Sequence, residues 1–113
     1  MLEDQFQLPA VYAEQALVRA ASDATLIDLR KPPAVLASGK LVKGAQTRDP
    51  FGFGHEDPLT RTEGPLITFC VHGHEVSQFA CALLMLHGRD VHYVVGGFEA
   101  LVAAGAELED LAQ

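Results

Sequence analysis

Three short apolar runs constrain this 113-residue chain more than any other feature: ATLIDL at 24–29, PLITFC at 65–70 and VHYVV at 91–95. Each has the length of a single strand and is too short for an ordinary helix. The first two show no polar alternation, which predicts strands buried on both faces. The segments around them have a different period. Tyr12, Ala16, Leu17 and Ala20 recur at helical spacing over 11–20. Val76, Phe79, Ala80, Leu83, Leu84 and His87 mark an amphipathic helix closed by Gly88, and FEALVAAG starts a last helix that ends near Gly105. Strands alternating with helices predict an α/β domain with a small, mostly parallel sheet and helices on both faces.

The remaining segments are short. Residues 1–8 read as a terminus without pattern. Pro33 opens a short helix, AVLAS, that Gly39 stops, and KGAQT (43–47) reads as a further strand. Residues 48–64 hold two prolines and three glycines and read as a long loop, of the kind that is functional or disordered. With no repeat or linker, the expectation is one domain over 1–113, its core at about 9–105. Hydrophobic residues make up 49% of the chain, a globular composition. The net charge of −7 argues against a nucleic-acid partner and suits small anionic substrates poorly. No apolar run is long enough to span a membrane. Two cysteines, Cys70 and Cys81, make no disulfide framework, and no secretory apolar segment precedes the first helix, so a soluble, reduced, cytoplasmic protein is expected.

The chemistry concentrates in FCVHGHEVSQ, residues 69–78. A free cysteine usually just packs, and Cys81, inside a helix, is read that way. Cys70 stands instead where a buried strand ends and a loop runs into a helix. In open α/β sheets ligands bind at that end of the strands. The helix N-terminus brings unpaired backbone N–H groups and the positive end of a dipole, which favour a thiolate, and the thiolate is the nucleophile. Gly73 permits the tight curvature of such a cradle. The same loop has two other conceivable uses. Zinc can take Cys70, His72 and His74, but one-residue spacings are unusual for zinc and no second ligand cluster accompanies them. A cysteine phosphatase needs a guanidinium to clamp phosphate, and 71–78 contain neither Arg nor Lys.

Four segments in order resemble the single-domain rhodaneses, a sulfurtransferase family, over about residues 9–105. LIDLR matches the strand-end Asp-x-Arg segment. GKLVKGA (39–45) matches the Gly-x-Ile-x-Gly-Ala segment, with Lys40 in place of the more usual histidine. CVHGHEV matches the active loop, and DVHYVVGGFEAL matches the Gly-Gly segment near the end. The resemblance implies that Cys70 accepts a sulfane sulfur as a persulfide and passes it to a thiophilic acceptor. It implies that the backbone of Val71, His72, Gly73, His74, Glu75 and Val76 holds the sulfur, with no metal or organic cofactor. The implied partners are a small sulfur donor and a thiol or protein acceptor, and the expected state is a monomer or weak homodimer. The chain departs from the pattern at Glu75, where many rhodaneses carry arginine, and at Val76, where they carry serine or threonine. Glutamate disfavours an anionic donor such as thiosulfate. These departures leave open a second class, a binding or regulatory module that keeps the fold without turnover.

His55 and Ser77 are further candidates for lining the site, Ser77 also as a helix cap or loop holder. His87 and His92 read as surface or packing residues. Asp28 and Arg30, two apart, read as a structural ion pair at the edge of the sheet, because buried charges need partners. Gly96 and Gly97 read as backbone geometry.

Overall fold

The computed structural model describes residues 8–111. The expected patternless terminus therefore lies almost wholly outside the described residues. Five parallel strands form the main sheet: β1 (Ala10–Val11), β2 (Thr25–Asp28), β4 (Gln46–Thr47), β5 (Leu66–Phe69) and β6 (Val91–Val94), in the order β1-β6-β5-β2-β4. Four helices follow them: α1 (Ala13–Ala20), α2 (Pro32–Ser38), α3 (Glu75–Leu86) and α4 (Gly97–Ala103). A separate antiparallel ribbon joins β3 (Lys40–Val42) to β7 (Leu108–Asp110), and the cross-strand pair Lys40–Asp110 ties it.

The apolar runs work as buried strands because successive side chains enter opposite cores. Leu26, Ile67, Phe69 and Val94 pack with Ala13, Ala16 and Leu101 of α1 and α4. Ile27, Leu66 and Val91 pack on the other face with Ala80, Cys81, Leu83 and Leu84 of α3. Helices thus cover both faces, which is why neither central strand shows a polar period.

Several expectations change. The helix expected over 11–20 starts at Ala13, because Ala10 and Val11 pair with Tyr93 and Val94. KGAQT is not one strand: Lys43 donates to Glu107 O and Ala45 to Val42 O, leaving two residues in the sheet. The buried face of α3 runs through Ser77, Ala80, Cys81 and Leu84, while Phe79, expected inside, is 59% exposed. The 48–64 loop contains a 3-10 turn at Pro58–Thr60, capped by the Asp57 carboxylate, and it inserts Phe53 and Leu59 into the α3-side core. Beyond residue 105, Ala106 and, in β7, Leu108 pack against the α1–α4 side of the core.

Candidate active site

The strand order places the site. The chain leaving β2 goes on to β4, on one side. The chain leaving β5 goes through α3 to β6, on the other. The two exits diverge between β2 and β5, and a crevice opens at their carboxyl ends. A cavity of about 410 Å³ lies there, bordered by Leu29, Arg30, Lys31 and Ala34 from the β2 side and by Cys70, Val71, His72, His74, Glu75 and Val76 from the β5 side.

Cys70 stands one residue past β5, 7% exposed, with its thiol 3.2 Å from Ser77 Oγ. Its loop is held from behind. The N–H of Phe98 donates to Cys70 O at 2.7 Å and that of Glu99 to Val71 O at 3.4 Å, so the first turn of α4 fastens the start of the loop. This approach requires two glycines. A Cβ on Gly73 would lie 2.5 Å from Val94 O and 2.8 Å from Gly96 N. One on Gly97 would lie 2.6 Å from Gly73 N and 2.7 Å from Val71 O, and both glycines have positive φ. With two of the loop carbonyls engaged by α4, the amides are left over. Among the described residues, no N–H from Val71 to His74 donates to a backbone acceptor, and Glu75 and Val76 open α3, where the first N–H groups of a helix have no partner within it. Unpaired donors in series at a helix N-terminus suit a sulfur anion or another small anion.

Two of the charged groups around the cavity are committed to partners of their own. Asp28 and Arg30 form a buried pair at 2.7 Å, each side chain 1% exposed. Arg30 also donates to Ser38 Oγ and Lys40 O, and its guanidinium lies 3.8 Å from the centre of the Phe98 ring. The pair sits at the end of an interior strand, not at the sheet edge expected from sequence. It braces Phe98, whose amide holds Cys70. His72 pairs with Glu99 at 2.7 Å, both exposed. Lys31, His74 and the exposed Glu75 complete the rim.

His55 does not line this cavity. Its Nδ1 faces His87 Nε2 at 2.8 Å, at the far end of α3, about 18 Å along the helix axis from Glu75. Loop reach carried no information about which end the loop would meet. Cys81 lies fully buried on the α3 face, and burial pushes its thiol up to about 12. Among the described residues no three His, Cys, Asp or Glu side chains gather as a metal cluster, and His72 is turned to Glu99. The α4 clamp on Cys70 and Val71 escaped sequence reading. Its one signal was the glycine pair, whose tightness shows only when the two loops meet.

No family model and no curated protein matches the sequence. Solved structures do match. A rhodanese-related protein from Thermoplasma volcanium superposes with a TM-score of 0.74 over 89% of this chain and 97% of its own, at 17% identity. The rhodanese-like domain of an Anabaena protein gives 0.71 over 93% of this chain and 81% of its own, at 19% identity. The fold is rhodanese-like. A thiosulfate sulfurtransferase from Pseudomonas aeruginosa gives 0.75 at 18% identity over 92% of this chain, which spans only 20% of that larger protein. At these identities the likeness concerns the rhodanese-like fold, and the chemistry has to be argued from the residues. Among the described residues no helix is long and apolar enough to cross a membrane.

Proposed function

We propose that this protein is a sulfurtransferase or persulfide carrier whose reacting atom is Cys70 Sγ. The observation that carries the reading is a thiol at the switch point of the sheet, bordering a cavity beside a run of backbone N–H groups with no backbone acceptor. The Cys70 thiolate attacks the outer sulfur of a sulfane donor. A bond forms from Sγ to that sulfur, and the donor leaves with the electron pair of the broken bond. The persulfide anion is held by the loop amides. An acceptor thiolate then attacks the outer sulfur and releases Cys70 as thiolate. Each step displaces one sulfur by another and needs no external oxidant or reductant, in two-step covalent logic.

The donor is small and reaches Sγ through the cavity; the acceptor is a low-molecular-weight or protein thiol. The setting is the reducing cytoplasm, and the protein acts as a monomer or weak dimer. Arg30 is consumed internally, and on the rim the Glu75 carboxylate offsets the Lys31 ammonium, so a strongly anionic donor such as thiosulfate meets no excess of positive side-chain charge. Organic persulfides fit the rim better.

Native mass measurement after incubation with a sulfur donor tests the reading. The expected result is a gain of one sulfur on the Cys70 peptide, removable by a thiol and missing in Cys70→Ser. No gain with any organic or inorganic donor overturns it and leaves a binding module.

A further inference from the structure

Ser77 carries no role in the motif resemblance, yet its hydroxyl is the one side-chain group hydrogen-bonded to Cys70 among the described residues. It is fully buried in the first turn of α3. Its backbone is pinned, because Thr68 Oγ1 on β5 donates to Ser77 O at 2.9 Å. Its Oγ lies 3.2 Å from Cys70 Sγ and 3.4 Å from His74 O. While the thiol is protonated, the chain of donors runs one way: S–H to Ser77 Oγ, and the Ser77 proton to His74 O.

We infer that Ser77 is a state-dependent hydrogen-bond partner of the reacting sulfur, accepting from the Cys70 thiol and donating to the thiolate. When the thiol proton leaves to a solvent base, Sγ keeps only acceptor capacity. Rotation of the Ser77 hydroxyl turns its proton onto the sulfur with no heavy atom moving. His74 O is not orphaned by this, because the Gln78 N–H also donates to it at 3.1 Å. The geometry therefore makes the reversal cheap, and a hydrogen bond to a charged group is worth more than one to a neutral group. The role rests on Cys70 being the reacting thiol. It serves both half-reactions, since Cys70 is the attacking thiolate in the first and the departing one in the second, and a better stabilised thiolate leaves faster.

Alkylation of the full chain by iodoacetamide, followed on the Cys70 peptide as a function of pH, tests Ser77 without any sulfur donor. It stays informative even if sulfur transfer is absent. In Ser77→Ala the profile moves to higher pH by roughly one unit, the difference between the charge-assisted bond lost by the thiolate and the neutral bond lost by the thiol. Ser77→Thr, which keeps the hydroxyl, restores most of the parent profile. A profile for Ser77→Ala that superimposes on the parent overturns the inference. So does an equal displacement in Ser77→Thr, which would trace the effect to packing. If Ser77→Ala does not fold, Ser77→Gly, which also lacks the hydroxyl, takes its place under the same two criteria.

Discussion

At the scale of single residues, the two cysteines separate by environment. Cys81 is sealed between α3 and β6, its thiol pushed up to about 12 from 9.0 by burial alone. A raised pKa means that the folded state holds a proton the unfolded chain gives up above pH 9.0. Stability is thus unaffected below that pH and falls as pH rises toward 12, on the order of 1.4 kcal/mol per unit. Denaturant titrations at rising pH should show this alkaline loss in the parent and a smaller loss in Cys81→Ala, after allowing for that variant's cavity cost. Glu75 makes the opposite kind of prediction, about substrates and not folding. It borders the cavity and is exposed. Glu75→Arg replaces a repelling carboxylate by a planar donor and should raise kcat/KM for thiosulfate, chiefly through KM, by about tenfold at low salt and less as salt is added. Glu75→Gln should give a smaller gain in the same direction. Parent-like kinetics in both variants across ionic strengths would remove Glu75 from donor selection.

At the scale of elements, the site is a junction between two strand-to-helix turns. The β5–α3 loop carries Cys70, and the start of α4 fastens it through Phe98 N–H and Glu99 N–H. A comparison of two glycines isolates the junction. Gly88 has positive φ but open space around it, so Gly88→Ala should cost about 1 kcal/mol of backbone strain and leave sulfur loading intact. Gly97 also has positive φ, and its Cβ would collide with the backbone of Cys70, Val71 and Gly73. Gly97→Ala should push the loop off α4 and abolish loading of Cys70, with a larger drop in Tm. Equal behaviour of the two variants would mean that the clamp does not shape the loop.

At the scale of the whole molecule, one buried charge pair links the parts. Arg30 is held by Asp28 and bonds Ser38 and Lys40, while its guanidinium stacks on Phe98. Through it the end of β2, the end of α2, β3 and the first turn of α4 share one network. Arg30→Ala leaves the Asp28 carboxylate buried and alone and should cost roughly 3–5 kcal/mol in urea denaturation. Arg30→Lys keeps the charge but not the fork and should recover only part. A loss under about 1 kcal/mol for Arg30→Ala would show that Asp28 finds another partner or protonates at little cost.

What the sequence determined by itself was whatever rests on local pattern. Apolar runs such as LITF and the helical spacing of Ala80 and Leu84 are statements about adjacent residues, and they dictated a parallel sheet covered on both faces. The position of Cys70 between strand and helix was legible for the same reason. Whatever depends on two distant segments meeting was settled by packing. Strands of two or three residues, β1, β3, β4 and β7, are too short to carry a period, and exist because a partner strand supplies their hydrogen bonds. The exposure of Phe79 depended on which face of α3 met the sheet, and the pairing of His55 with His87 on where a loop docked. The bond from Ser77 to Cys70 joins residues seven apart across the turn into α3, and the clamp of α4 on the loop joins residues far apart in the chain. A periodicity names the face of an element; which neighbour that face meets is set by packing the whole chain at once.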